Sequence, residues 1–296
     1  MSRVLFLFVD GVGLGDDDAT TNPLAAANLP VLETLLDDGR LRALDATLGV
    51  PGTPQSGTGQ TSLLTGENAA ERFGRHYGPW VPTALRPLVR ERSVLRRAVD
   101  AGLRVAFANA YPRPLLERAR AGEDGRRLGP LRAGPPLAAL GAGLLTRDAG
   151  DLREGNAVAS EIVNDGWRER LGHTELPVAS PSEVGHNLAA IADRHDLTLF
   201  AHYTTDYVGH RGSFREAVTV LERFDAFLGG VLERLPEDML LLVASDHGNI
   251  EDVRVEHTRN PALGLVCGAG ADDVGRGLHS LVDVSERVIR ALDIGP

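Results

Sequence analysis

Short apolar runs that end on acidic or histidine residues constrain the fold of this 296-residue chain more than any other feature. Val4–Val9 is wholly apolar and leads directly to Asp10, and Leu240–Ala244 leads through a single serine to Asp246 and His247. Such runs are typical of strands that are buried on both faces of a parallel sheet. Because open α/β sheets gather their ligands at the carboxyl ends of the strands, we expect these distant side chains to meet at one edge.

Helical patterns alternate with the apolar runs. The spacing predicts helices over Ser182–Asp193, Phe214–Leu235 and Leu278–Leu292, and further strands over Leu197–His202 and Leu263–Val266. Strands that alternate with helices imply a doubly wound, mostly parallel sheet that is sandwiched between helices. The sequence therefore predicts an α/β fold.

The regular pattern weakens between residues 111 and 180, where Gly and Pro are frequent, as in Gly134-Pro135-Pro136. We interpret residues 111–180 as a small inserted cap, and residues 1–110 and 181–296 as the two parts of one core. The insertion has about 70 residues, which is near the lower end of domain size. The cap is therefore expected to be small.

The composition of the chain limits the kinds of molecule that it is expected to bind. The chain is 43% hydrophobic and 24% charged, and its formal net charge is −10 without a basic run. This acidic balance argues against nucleic acid and anionic membranes as partners. No apolar run approaches the ~20 residues of a membrane span, and the first residues lack a signal-peptide pattern, so a cytoplasmic location is expected. No sequence feature selects an oligomeric state.

Carboxylate, imidazole and hydroxyl side chains follow the predicted strands. Asp206 and His210 stand four residues apart, so on a helical turn they share one face, as the histidines of HExxH metal sites do. The full candidate set is Asp10, Ser56, Asp206, His210, Asp246, His247 and His257. Three aspartates, three histidines and one hydroxyl suffice for two divalent metals and a nucleophile, which suits phosphoryl transfer. Asp and His ligands suit both Mn²⁺ and Zn²⁺.

The turn Gln55–Gln60 offers two candidate nucleophiles, Ser56 and Thr58. Ser56 is expected to cap a short helix that ends at Gly66, because serine favours helix N-caps and glycine favours helix ends. A hydroxyl at that position lies at the positive end of the helix dipole, which suits a phosphate.

The loop after the first strand has a competing interpretation as a dinucleotide-binding turn. It contains Gly11, Gly13 and Gly15 in a G-x-G-x-G pattern, whereas the dinucleotide fingerprint requires G-x-G-x-x-G. Asp10 would also repel a pyrophosphate. The spacing therefore favours a metal-binding role for Asp10 over nucleotide binding.

Five segments of the chain resemble, in order, motifs of the alkaline phosphatase superfamily. They are Val9–Gly13, Gln55–Gln60, Asp206–His210, Ser245–Glu251 and His257–Pro261. The likeness is greatest to the branch of cofactor-independent phosphoglycerate mutases and phosphopentomutases. The first segment resembles the first metal-binding turn of that branch, and the motifs that correspond to the other four read N-S-E-V-G-H, D-x-V-G-H, A-D-H-G-N-x-E and H-T-x-N-P. Five motifs in the right order are very unusual by chance.

This resemblance implies two metal sites and a serine nucleophile. The implied ligands are Asp206, His210 and His257 for one metal, and Asp10, Asp246 and His247 for the other, with the Ser56 Oγ reaching the second. Thr58 is the rival nucleophile, because some branches of the superfamily use threonine. Gln60 stands where the mutases have histidine, so the role of that position does not carry over.

The resemblance also implies a choice of reactions on a small phosphorylated substrate. The first expectation is hydrolysis of a phosphate monoester through a phosphoserine intermediate. A mutase needs a lid that shields its phosphoenzyme from water, and only a small cap fits in this chain. A phosphomutase of the phosphoglycerate or phosphopentose type follows, then a phosphodiesterase. A non-catalytic metal-binding relative is the alternative from another class. Arg211 and Arg259, within or beside the motifs, are the better candidates for phosphate contact, with a structural salt bridge as the alternative interpretation.

Overall fold

The computed structural model describes residues 3–123 and 125–295. In this part of the chain six strands form a single sheet. The strands are β1 Arg3–Val9, β2 Leu41–Leu44, β3 Val105–Phe107, β4 Leu197–His202, β5 Met239–Ser245 and β6 Ala262–Gly268. Their order across the sheet is β2-β6-β5-β1-β4-β3, so β2 and β3 form the two edges and β1 lies inside, between β5 and β4.

The helices lie between the strands. Helices α1 to α15 span, in chain order, Pro23–Ala26, Pro30–Asp37, Ser56–Thr65, Ala69–Phe73, Arg86–Arg92, Val94–Asp100, Arg113–Arg120, Gly134–Gly141, Ala149–Arg153, Asp165–Glu169, Pro181–Asp193, Thr204–Arg211, Phe214–Glu233, Ala271–Gly275 and Leu281–Ala291. Short 3₁₀ segments occur at Thr83–Leu85 and Gly125–Arg132.

Strands β3, β4, β1 and β5 run parallel, whereas β6 is antiparallel to β5 and to β2. The register places Val9 opposite His202 on one side and Ser245 on the other. The carboxyl ends of β1, β4 and β5 are therefore level with one another. The predicted α/β fold with a mostly parallel sheet is confirmed.

Alternate residues of β1 point into two separate hydrophobic clusters. Phe6 and Phe8 pack with α3 and α15 on one face of the sheet, while Leu5 and Leu7 pack with α11 and α13 on the other. Because all four side chains are completely buried, the apolar run Val4–Val9 has no polar face, as its sequence predicted.

The predicted helices near the C-terminal end agree with the structure to within a few residues. Two of them begin with a capping box, in which Ser180 pairs with Glu183 and Ser213 pairs with Glu216. Each serine hydroxyl accepts the N3 amide while the glutamate accepts the N-cap amide, so both helix starts are fixed by local sequence. In contrast, the edge strand Leu41–Leu44 was not predicted.

Residues 111–180 contribute both to the main core and to a cluster of their own. Helix α8 is almost entirely buried and packs against α3, α5 and α6. A smaller cluster contains Ala110, Leu152, Ala157, Ala159, Trp167 and Leu176. The division of the chain into a core and an inserted cap stays a prediction. Of the described helices, none is long and apolar enough to cross a membrane.

Candidate metal centre and nucleophile

The candidate ligands come from the carboxyl ends of the three central strands. Asp10 follows β1, and its backbone N–H donates to the His202 carbonyl at the end of β4, 2.9 Å away. Asp246 and His247 follow β5 directly. Level strand ends in a parallel sheet therefore bring together residues that are more than two hundred positions apart, as expected for an open α/β sheet.

Three of these residues form a group that we call the buried group: Asp10, Asp246 and His247. The His247 Nε2 lies 3.3 Å from Asp10 Oδ1 and 3.7 Å from Asp246 Oδ2. Among the described residues, Asp10 Oδ1 and Asp246 Oδ2 have no hydrogen-bond partner although both atoms are buried. Buried, unpartnered carboxylate oxygens are costly unless a cation or a proton neutralises them, so the donor set fits a divalent metal.

The other three ligands form what we call the open group: Asp206, His210 and His257. Asp206 and His210 lie one turn apart on α12, and His257 lies in the loop between β5 and β6. Asp206 Oδ1 is 3.4 Å from His210 Nε2 and 3.6 Å from His257 Nε2. The side chain of His210 is 30% exposed, so this group faces solvent.

The imidazole geometry of the open group fits a metal. The Nε2 atoms of His210 and His257 are only 3.0 Å apart. His257 Nδ1 lies 2.9 Å from the Pro54 carbonyl, which can only accept, so Nδ1 is the donor and Nε2 is the ring nitrogen that faces His210. A ligating histidine usually donates its other ring N–H to a carbonyl in this way. Two converging ring nitrogens beside a carboxylate are an arrangement that a cation stabilises.

Ser56 lies against the buried group. Its Oγ is 3.0 Å from His247 Nε2, and the residue is 4% exposed. Gln55, and not Ser56, is the N-cap of α3, so Ser56 is the first residue of the helix and its hydroxyl makes no capping hydrogen bond. The predicted helix end at Gly66, which adopts a left-handed conformation, is correct.

The hydroxyl of Thr58, the rival nucleophile, is engaged elsewhere. Thr58 Oγ1 accepts from the Tyr77 amide at 3.1 Å and lies 3.3 Å from the Gln55 carbonyl. The residue is completely buried. The segment around Tyr77 therefore holds Thr58 in a structural role, whereas Ser56 faces the ligands.

Burial and neighbouring charges together shift the pKa values of the residues in both groups. Burial raises the pKa of Asp10 and Asp246, and the neighbouring carboxylates raise the Asp10 value further. Burial also lowers the pKa of His247, but Asp246, Asp10 and Asp206 more than compensate and raise it to about 10. For Asp206 the effect of burial is outweighed by His257, His247 and Asn249, which hold its pKa below the ordinary value.

Glu251 is a supporting residue that the sequence did not single out. It is 2% exposed and accepts from the Gly13 amide at 2.9 Å, the Asn249 amide at 2.8 Å and the Asn260 side chain at 3.2 Å. Asn249 in turn donates to Asp206 Oδ1 at 2.7 Å. Both residues lie in the segment Ser245–Glu251, so the motif itself was the signal. Such partners fix the orientation of metal ligands.

The glycines after β1 allow the loop to approach the ligands closely. Gly11 has a φ of +69°, and a Cβ there would lie 2.8 Å from Asp206 Oδ1. A Cβ at Gly13 would lie 2.2 Å from Glu251 Oε1. The glycine pattern that resembles a dinucleotide turn is thus explained by packing around the ligand cluster.

The two arginines expected to bind phosphate lie outside both ligand groups. The Arg211 guanidinium lies 4.9 Å from the centre of the Tyr207 ring. Arg259 donates to the Gly52 carbonyl. Phosphate contact by Arg211 and Arg259 stays a prediction.

Comparison with known proteins agrees with this site. Residues 177–292 match the family model described as the Metalloenzyme superfamily. The 2,3-bisphosphoglycerate-independent phosphoglycerate mutase of Desulforudis audaxviator is 31% identical over 128 residues, which cover 40% of this chain and 25% of the mutase. The corresponding enzyme of Malacoplasma penetrans is 28% identical over 112 residues, or 35% of this chain and 22% of the mutase. The matches thus span about a quarter of the relatives' length.

Solved structures show the same fold over the whole chain. The PH0037 protein of Pyrococcus horikoshii has a TM-score of 0.61 at 12% identity, covering 100% of this chain and 98% of that one. Alkaline phosphatase from the Antarctic bacterium TAB5 has a TM-score of 0.54 at 11% identity, with 99% of each chain covered. Leishmania mexicana phosphoglycerate mutase has a TM-score of 0.54 at 11% identity, with 100% and 96% covered.

Fold and ligand geometry together define a metalloenzyme-type α/β protein, with two groups of potential metal ligands at the carboxyl edge of its sheet. The chain resembles the metalloenzyme superfamily over residues 177–292, and its fold is alkaline phosphatase-like.

Proposed function

We propose that this chain is a two-metal phosphoryl-transfer enzyme that hydrolyses a small phosphate monoester with Ser56 as the nucleophile. The observation that carries the proposal is the position of Ser56 Oγ, 3.0 Å from His247 Nε2 in the buried group. The two groups adjoin each other, because His247 Nε2 is also 3.9 Å from Asp206 Oδ1. One hydroxyl thus lies beside ligands for two cations.

The proposed ligands are the buried group for one metal and the open group for the other, with either Mn²⁺ or Zn²⁺ suiting their oxygen and nitrogen atoms. Two bound cations would neutralise charge on the phosphoryl group and favour the ionised form of the serine hydroxyl. Asn249 and Glu251 hold the open-group carboxylate and its loop in place. The chain itself therefore supplies the orientation of the proposed ligands.

Ser56 is placed to attack phosphorus. A bond forms between Ser56 Oγ and phosphorus, the bond from phosphorus to the ester oxygen breaks, and the alcohol leaves with the proton that the Ser56 hydroxyl gives up. Water then attacks phosphorus, the bond from phosphorus to Ser56 Oγ breaks, and a proton from water returns to Ser56 as inorganic phosphate is released. As the first residue of α3, Ser56 lies where backbone N–H groups favour negative charge on the transferring oxygens.

We prefer hydrolysis to transfer of the phosphoryl group back to the substrate for two reasons. The open group is accessible to solvent. Helix α8, in the middle of residues 111–180, is packed into the main core. A mutase must protect its phosphoenzyme from water. The second candidate is a phosphomutase, which the 31% identity to a phosphoglycerate mutase supports.

Phosphate release separates these candidates. Metal-free protein is reloaded with Mn²⁺ or Zn²⁺ and incubated with sugar phosphates, phosphoglycerates and p-nitrophenyl phosphate, while ³¹P NMR follows the products. We expect metal-dependent inorganic phosphate that is lost in Ser56→Ala. Isomerised phosphate esters without free phosphate would replace hydrolysis by mutase chemistry. Turnover that persists in Ser56→Ala would contradict the assignment of the nucleophile.

A further inference from the structure

We infer that Gln60 is a positioning residue, which presents one oxygen of Asp10 to the buried metal and couples that metal to the inserted segment through α8. The inference rests on the proposed function, since it concerns how the buried group binds a cation. Gln60 lies on α3, one helical turn after Ser56, and is 1% exposed.

The side-chain amide of Gln60 joins two distant parts of the chain. Its Nε2 donates to Asp10 Oδ2 at 3.1 Å. Its Oε1 accepts from the Gly134 amide at 2.8 Å, at the start of α8. A backbone N–H can only donate, so it fixes the oxygen of Gln60 toward Gly134 and leaves the NH₂ group to face the carboxylate.

This contact selects the Asp10 oxygen that can bind a metal. Oδ2 is occupied by Gln60, whereas Oδ1 has no hydrogen-bond partner among the described residues and lies 3.3 Å from His247 Nε2. A freely rotating carboxylate would present either oxygen. Gln60 therefore holds Asp10 in the orientation in which Oδ1 points toward the other ligands of the buried group.

The same contact links the metal to residues 111–180. A Cβ on Gly134 would lie 2.7 Å from the Gln60 Cβ and 3.1 Å from a Leu64 methyl carbon. The absence of a side chain at Gly134 thus allows α8 to come close enough for its amide to reach Gln60. A shift of α8 would move the Gln60 amide and, with it, the Asp10 carboxylate.

The test is a Mn²⁺ titration of the metal-free protein by calorimetry. His210→Ala, which removes a ligand of the open group, identifies the binding step that belongs to the buried group. In Gln60→Leu we expect that step to weaken about 10- to 100-fold, the usual effect of losing a residue that orients a ligand, while the open-group step changes less than about 2-fold. Thermal unfolding without metal is measured in parallel.

Three further variants control for a general loss of stability and change the Gln60 contact in other ways. Ser62→Ala removes a different buried hydrogen bond of α3, to the Thr58 carbonyl, and should leave both affinities unchanged. Gln60→His keeps one donor and one acceptor in its neutral imidazole and should restore most of the lost affinity. Gly134→Ala should weaken the buried step several-fold although Gly134 contacts no ligand. If Gln60→Leu fails to fold, the last two variants still report on the contact.

The possible failures are distinct. If the wild-type protein binds no Mn²⁺ in the buried step, the proposed function fails first. If it binds two ions and Gln60→Leu or Gly134→Ala binds them as tightly, the inference about Gln60 is wrong while the proposed function stands. If Ser62→Ala weakens the buried step as much as Gln60→Leu does, the effect comes from the stability of α3 and the inference is also overturned.

Discussion

The buried group and the open group are adjacent and both consist of aspartate and histidine, but they differ in burial and in the elements that carry them. The buried group projects from the ends of the two central strands, and its histidine has no exposed side-chain surface. The open group comes from a short helix and a loop, and the side chain of His210 is 30% exposed. The sheet therefore fixes one set of ligands, while the other set faces the side from which a substrate can approach.

Their electrostatics differ in the same way. Burial raises the pKa values of both carboxyl groups in the buried group, and repulsion by Asp206 raises both further, so ionised acids there lack adequate compensation. The carboxyl group of Asp206 has a lowered pKa because histidines and Asn249 surround it. We conclude that the buried group depends on a cation for its charge balance far more than the open group does.

The largest expected effect concerns the nucleophile beside the buried group. Ser56→Ala should lower kcat by about 10⁴-fold or more, as loss of a nucleophile does in serine enzymes. Thr58→Ala should lower thermal stability but leave kcat within about 3-fold, because the Thr58 hydroxyl is bound to Tyr77. Steady-state kinetics of the two variants checks this contrast. A larger kcat loss in Thr58→Ala than in Ser56→Ala would make Thr58 the nucleophile.

A second buried histidine shows what burial does when no carboxylate is near. His202 is completely buried, stacks on Phe224, and places Nδ1 2.7 Å from the Ser160 carbonyl. Burial lowers its pKa to about 4, whereas carboxylates raise that of His247 to about 10. Between pH 6.5 and 4 the unfolded chain therefore binds a proton at His202 that the folded protein does not bind.

Folding stability should fall by about 3 kcal/mol over that range through His202. His202→Phe keeps the aromatic contact and removes the titration, so its stability should fall less steeply as the pH is lowered. Urea unfolding of the metal-free proteins at several pH values measures the difference in slope. Equal slopes would show that the His202 pKa is not lowered in the folded protein.

The metal affinities of the buried group and the open group should depend differently on pH. With a pKa of about 10, His247 is protonated at neutral pH and must release that proton to bind a metal. Burial and the neighbouring histidines lower the pKa of His210, although Asp206 opposes them, so its ring is already neutral. From pH 7 to 9 the affinity of the buried group should rise about tenfold per pH unit, while that of the open group changes little.

Calorimetry in buffers of different ionisation enthalpy counts the protons released in each binding step. One or more protons for the buried step and almost none for the open step are expected. The reverse assignment would contradict the electrostatic contrast between the groups.

The smallest expected effect is a change in the folding stability of the metal-free protein. Asp10→Asn removes a carboxylate whose ionised form is disfavoured by burial, so the metal-free protein should become more stable. The same variant should lose the stabilisation that added metal gives. His210→Ala should change metal-free stability by less than about 0.5 kcal/mol. Thermal unfolding with and without Mn²⁺ checks both variants, and destabilisation by Asp10→Asn without metal would count against the charge argument.

The sequence predicts the central strands and the edge that carries the candidate ligands well, because a strand that is buried on both faces has a continuous apolar sequence. The run Val4–Val9 is apolar throughout, and the capping residues Ser180 and Ser213 mark helix starts locally. The edge strand Leu41–Leu44 is not predicted, because only its last residue is fully buried and its sequence therefore lacks the pattern of a core strand. It is defined by its antiparallel pairing with β6, which no local sequence signal reports.

The contacts around the ligands depend on the same non-local packing. Gln60 could be seen in the nucleophile turn, but its bond to Gly134 joins positions 74 residues apart. Thr58 and Ser56 look alike in sequence, and the choice between their hydroxyls becomes visible only when the Tyr77 backbone is placed. Residue types at strand ends are therefore predictable, whereas the partners that orient them are not.

Trapping the phosphorylated intermediate tests the central claim most directly. Metal-loaded enzyme is mixed with its most reactive substrate, quenched in acid within milliseconds, digested and mapped by mass spectrometry. We expect a phosphoryl group on Ser56 that needs metal and substrate to form and that is absent in Asp246→Asn. A phosphoryl group on Thr58, or turnover with no phosphorylated peptide at any quench time, would contradict it.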